Sequence, residues 1–137
     1  MDFLSALHIS ASGLSAQRTR VNVASSNLAN AESTRGPNGE RYRRLDAVFS
    51  TEAVESGAAQ SPSGVTVTEI RADPGPGKRV YSPSHPDAGP DGFVTLPDVN
   101  PIHEVVNLMS ASRAYEANAT AVDTLKTMAQ RALDIAR

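Results

Sequence analysis

The chain has 137 residues, of which 39% are hydrophobic and only 4% aromatic, with no Trp, so a single domain with a modest core is the default. A formal net charge of -2 removes any global electrostatic case for nucleic acid or an anionic membrane. The lack of cysteine excludes disulfides, thiolate metal sites and Cys nucleophiles.

Residues 2 to about 30 read as an amphipathic helix. Leu7, Leu14, Val21 and Leu28 lie seven apart, with Leu4 and Ala11 beside them. The polar side is rich in Ser and Asn, each about 0.5 kcal/mol worse than Ala in a helix, and Gly13 adds a further cost. Such a segment is marginal alone and is expected to order on assembly. Asp2, with no basic region and no long apolar run near it, matches neither a secretory signal peptide nor a membrane span. Gly36-Pro37 is expected to stop the helix, and Asn38-Gly39 signals a turn. Arg41, Arg43 and Arg44 around Tyr42 form a small basic patch. It reads as a solvated extended segment, partly offset by Glu40 and Asp46, and not as a nucleic-acid site.

Between residues 36 and 97 the composition changes, because eight of the nine Gly and eight of the nine Pro fall there. Short β-like runs cover 65–70, 79–81 and 93–96, with turn chemistry between them. They predict a small β-rich insert with long loops; a loose linker is the alternative. Residues 57–64 offer no bulky apolar anchor and read as exposed. Val65 and Val67 point the same way, whereas Ile70 breaks the alternation.

From Asn100 onward the chain reads as a second helix. Asn100 caps it, Pro101 suits its first position, and no Gly or Pro follows. Leu108, Tyr115, Val122, Ala129 and Ala136 form one row at seven-residue spacing. Ala111, Asn118, Leu125 and Ala132 form the row three residues on. This is a thin coiled-coil seam, with Asn118 as the polar residue that sets register. A helix of roughly 55 Å cannot bury such a seam against itself and needs a partner helix from this chain or another.

The predicted fold is therefore mainly α with a small β-rich insert. Two long coiled-coil-like helices at the N- and C-terminal ends are joined by a Gly/Pro-rich β/loop segment, and they run antiparallel or side by side. Residues 1–35 and 98–137 would make one discontinuous domain, and 36–97 the insert.

Motifs for chemistry are nearly absent. Gly75-Pro76-Gly77-Lys78 lacks the first Gly and the Ser or Thr of a phosphate loop, and Pro76 removes a donor. His8, His85 and His103 have no second His at metal-ligand spacing. Asn118-Ala119-Thr120 matches a glycosylation acceptor but lies inside the second helix. Carboxylates are scattered and not paired in an apolar setting. No catalytic residue, cofactor, metal or small-molecule substrate is expected.

Several segments resemble one family. Ser26-Asn27-Leu28-Ala29-Asn30-Ala31, then Thr34 and Tyr42-Arg43, resemble the N-terminal signature of bacterial flagellar rod and hook proteins. Residues 110–118, Ser-Ala-Ser-Arg-Ala-Tyr-Glu-Ala-Asn, resemble their C-terminal signature. Residues 36–39, 80–86 and 91–100 look like the proximal rod type, and the Gly-Pro-Asn-Gly insertion separates the chain from the distal rod and hook types.

The resemblance implies a structural subunit of the flagellar basal body that leaves the cytoplasm by the flagellar type III route. Its terminal helices would form the inner tube, and its insert would face outward. Its partners would be copies of itself, other proximal rod subunits, the rod adaptor, the distal rod, the membrane ring and the export apparatus. The two helix rows, together with Asn30, are the expected subunit contacts. A subunit of another type III appendage and a soluble two-helix binding module are the other classes open to the sequence.

Overall fold

The computed structural model describes residues 3–36, 39–53 and 63–135. Helix α1 (Phe3–Ala29) is followed by strands β1 (Leu45–Ala53), β2 (Ser63–Ala72), β3 (Lys78–Tyr81) and β4 (Phe93–Leu96), and then by helix α2 (Pro101–Ile135). The fold is mainly helical with a small β insert, as the sequence predicts. The helices contain 27 and 35 residues.

The helix ends follow from local chemistry. Asn100 Oδ1 accepts from the N–H groups of Ile102 at 3.0 Å and His103 at 3.4 Å, which caps α2. α1 ends at Ala29, before Gly36, and there Asn30 turns its side chain back, its Nδ2 donating at 2.9 Å to the Ser26 carbonyl that also accepts its backbone N–H at 3.1 Å. Ser33 Oγ then holds Asn30 Oδ1 at 3.2 Å and steadies the turn.

The two helices pack antiparallel. Asn27 meets Glu104, Arg20 meets Asn107, and Gly13 faces Asn118. Their contact is made by small residues: Ala16, Ala24 and Ala111 are buried, Ala111 completely. In α1 the buried positions Ser5, Ala16 and Asn27 are eleven residues apart, which is 3.67 residues per turn. Ala16 and Val23, both buried, are seven apart, so the buried face of α1 carries both spacings.

The β insert consists of two separate antiparallel pairs, β1–β2 and β3–β4. β1 is not among the predicted strands, since its Asp, Ala, Ser and Glu residues lower strand propensity. Pairing with β2 supplies what propensity lacks. The register shifts between Val48 and Phe49, which leaves Thr68 as an extra residue on β2. Val65, Val67 and Ile70 therefore lie opposite Thr51, Phe49 and Ala47, all on one face. The broken alternation of Ile70 is a bulge, not the end of a strand. The β1–β2 pair leans on α1, where Val65 N–H donates to Ser12 Oγ at 3.1 Å. Residues 57–62 of the expected loose segment lie outside the described residues.

The β3–β4 pair is held by Val94, which is buried, and by Tyr81 against Phe93, edge to face at 5.2 Å. Gly77 enters β3 with φ +79°, and a Cβ there would lie 2.5 Å from Leu96 O. Gly77→Ala is expected to cost about 1–3 kcal/mol of folding stability through this strained backbone and clash, read as a lower urea midpoint with unchanged slope.

Candidate functional site

Three parts of the chain converge on a buried polar cluster. α1 contributes Asn27, the segment before β1 contributes Tyr42 and Arg44, and the first turn of α2 contributes Glu104. Asn27 and Glu104 are 1% exposed. Asn27 treats Leu45 as a strand partner would: its Nδ2 donates to Leu45 O at 2.8 Å, and its Oδ1 accepts from Leu45 N–H at 2.8 Å. Oδ1 also accepts from Tyr42 OH at 3.0 Å, and Nδ2 reaches Glu104 Oε2 at 3.3 Å. Arg44 Nε closes the cluster on Glu104 Oε1 at 2.8 Å, while its Nη1 holds Asp46 at 2.6 Å. Burial opposes the charge of Arg44, but the hydrogen bonds it donates to Glu104 and Asp46 outweigh that. They hold its pKa above the ordinary guanidinium value.

The basic patch of the sequence is thus partly structural. Arg44 is drawn inward by the Glu104 carboxylate, and Arg41 donates to the carbonyls of Gly75 and Pro76. Of the three arginines, Arg43 alone is exposed. A second polar node ties the loop before β4 to the end of α1. Thr34 Oγ1 donates to Asp87 Oδ2 at 2.6 Å, and Arg35 pairs with Asp87 Oδ1 at 2.6 Å.

The expected contact rows are distributed over both helices. Leu7, Leu14, Val21, Leu28 and Asn30 are half-buried, as are Leu108, Asn118, Val122, Leu125 and Ala129. Ala111 is fully enclosed between the helices, whereas Tyr115 and Ala132 are exposed. The large side chains of both rows therefore keep part of their surface free. The fully covered positions are the small ones.

Asn118 sits over Gly13, where a Cβ would come within 2.9 Å of its Nδ2. Gly13 is thus a place of close approach and not only a weak point of the helix. Because the obstructing atom ends a flexible side chain, Gly13→Ala is expected to stay within about 0.5 kcal/mol of the parent, helped by helix propensity. Gly13→Leu should cost about 1–3 kcal/mol by overpacking. Urea melts of the two variants check this.

A further surface lies outside both rows. Ile102, Val106 and Met109 share one exposed face of α2, with Val105 beside them. The spacing of 102, 106 and 109 is a helical stripe that lies outside the seven-residue rows. At the other end of α2, Met128, Leu133 and Ile135 are also exposed. Among the described residues no group of three His, Asp or Glu could hold a metal, and no helix is long and apolar enough to cross a membrane.

Comparison with known proteins adds the following. A family model described as "Flagella basal body rod protein" matches residues 7–37, which include the Asn27 and Asn30 motif. One described as "Flagellar basal body rod FlgEFG protein C-terminal" matches residues 91–135. The chain is 42% identical over 135 residues to the flagellar basal-body rod protein FlgC of Salmonella typhimurium, covering 98% of each chain. It is 44% identical over 134 residues to the protein of that name from Aquifex aeolicus, covering 98% of this chain and 97% of the relative. With the one from Bacillus subtilis it shares 40% over 144 residues, covering 96% of each.

Proposed function

The chain belongs to the FlgC family of flagellar basal-body rod proteins, and on that footing we propose that its two terminal helices are the surfaces by which it polymerises into the proximal rod. It is a structural subunit of the flagellar basal body, and motility depends on it through that structure. The observation that carries the proposal is the half-exposed state of the leucine rows. Ala16, Ala24 and Ala111 are buried where the helices of one chain meet, whereas Leu7, Leu14, Leu108 and Leu125 keep surface to place against other subunits.

The remaining parts of the reading rest on family membership. Neighbours are copies of the chain, other proximal rod proteins, the rod adaptor and the distal rod, together with the membrane ring and export apparatus. The chain reaches the basal body by the flagellar type III route. Its work is mechanical, with no substrate turned over. The β insert is the outward part of the subunit.

Leu125→Asp and Leu14→Asp each place a charge in a half-buried helix contact, at a cost of several kcal/mol where the site closes in the assembly. In cells lacking the native protein, both variants should fail to restore swimming and be absent from purified basal bodies. Glu116→Gln, at an exposed position, should restore both. Normal swimming with Leu125→Asp would remove the helix rows from the contact surface.

A further inference from the structure

We propose that the outer edge of β1 takes an extended segment of another chain as an added strand, one that carries a carboxylate side chain over Arg20.

In an antiparallel pair, alternate residues turn their N–H and C=O groups toward the partner strand and away from it. Asn27 holds both backbone groups of Leu45, so Leu45 turns them away from β2. The same alternation turns out the groups of Ala47 and Phe49, because the extra residue of the bulge lies on β2 and leaves β1 in step. The amide of Asn27 thus supplies the first rung of a third strand, and the next rungs stand open. Among the described residues no backbone group meets those of Ala47 or Phe49 on this edge. Edge strands are usually guarded by charge, by Pro or by a bulge of their own. Residues 47–51, Ala-Val-Phe-Ser-Thr, carry neither charge nor Pro.

The edge borders a recess of about 240 Å3, lined by Arg20, Val23 and Ala24 of α1 and by His103 and Asn107 of α2. Arg20 is half-buried there, and its one hydrogen bond is long, 3.5 Å from Nη2 to the neutral Oδ1 of Asn107. The carboxylates of the recess, Asp46 and Glu104, are both held by Arg44. A guanidinium with unused donors beside an open backbone edge suits an acceptor that arrives with the strand. Main-chain bonds give such an addition its affinity, and a pocket for one side chain gives it specificity.

The β1 strand of a second copy is a poor occupant. Antiparallel pairing about Phe49 would set Asp46 opposite Glu52 on both sides, and like charges directly opposite repel. The occupant is therefore a different segment, with Asp or Glu in it. That it belongs to a neighbouring rod subunit rests on the rod reading above. The open edge and the unmatched Arg20 do not.

Proline tests the edge without touching the ladder. Ala47→Pro removes an N–H that points away from β2, so the purified full-length chain should melt close to the parent. In cells lacking the native protein it should fail to restore swimming and be absent from purified basal bodies. Ala47→Gly, which keeps the N–H, should restore both. Arg20→Glu should fail as Ala47→Pro does, again with little change in melting, whereas Arg20→Lys keeps the charge and should swim. A photo-crosslinker in place of Phe49 should join the chain to an acidic segment of another rod protein.

Normal swimming with Ala47→Pro overturns the proposal. If Leu14→Asp and Leu125→Asp are then still immotile, the rod contacts stand without this edge; if they swim too, both readings fall. Should Ala47→Pro fail to fold, Arg20→Glu carries the test, and its normal swimming overturns the proposal equally. A melting temperature that falls with Arg20→Glu as far as with Arg44→Ala would make Arg20 part of the fold and overturn its part in binding. A cross-link from position 49 to β1 of a second copy overturns the assignment of the occupant.

Discussion

Arg44→Ala is expected to destabilise the fold by about 3–5 kcal/mol, because it leaves the Glu104 carboxylate buried without its cation. Glu104 is 1% exposed, and its other partner is the amide of Asn27 at 3.3 Å, a neutral and longer contact. The loss should appear as a lower urea midpoint and as faster backbone exchange at the α2 start. Replacing both Glu104 and Arg44 by Leu should recover most of it, because no unpaired charge is then buried. If Arg44→Ala and the double replacement are equally unstable, the ion pair is a true source of stability and not a balanced one.

Asn27→Asp changes a single NH2 group to oxygen, and its expected cost is of the same order, about 3–5 kcal/mol. Asn27 Nδ2 donates to Leu45 O at 2.8 Å and to Glu104 Oε2 at 3.3 Å. A carboxylate oxygen there would face a carbonyl and a second carboxylate with no proton to share. Turning the group over offers no relief, since the other oxygen already accepts from Leu45 N–H and Tyr42 OH. Asn27→Ala loses the same bonds without adding a charge and should cost about 1–3 kcal/mol. Thermal melts of the two variants should therefore place Asp well below Ala. The reverse order would mean that the cluster opens to water.

What the sequence shows plainly is the pair of helices. Pro101 after Asn100, and the long stretch free of Gly and Pro that follows, bound α2 closely because caps act within a few residues. Three of the four strands are legible for the same local reason. β1 is hidden because Leu45, Ala47, Phe49 and Thr51 form a face only when α1 and β2 lie against it. The cluster around Glu104 is harder still. Its members are 77 residues apart in the chain, and nothing local distinguishes a carboxylate that will be buried from one that will be solvated. The signal that could have found it is the pairing of Asn27 within the N-terminal signature with Tyr42 and Arg44 just downstream. In the sequence those residues stand as a signature and a basic patch, because only the fold joins them into one polar site. Seven-residue spacing is carried by large side chains, whereas the close approach of the helices falls at Gly13 and Ala111.

The unequal lengths of the two helices give the subunit a stepped end. Flush ends can only press on one another. They resist compression, but they slip under torsion unless something else grips them. A step is a lap joint. A neighbour seated in it overlaps the protruding helix along about 10 Å, the seven residues from Ala129 to Ile135 at 1.5 Å each. Load passing through such an overlap would be carried in shear and shared along its length. For a shaft that must turn under resistance, a row of small steps resists twisting better than a stack of flat faces.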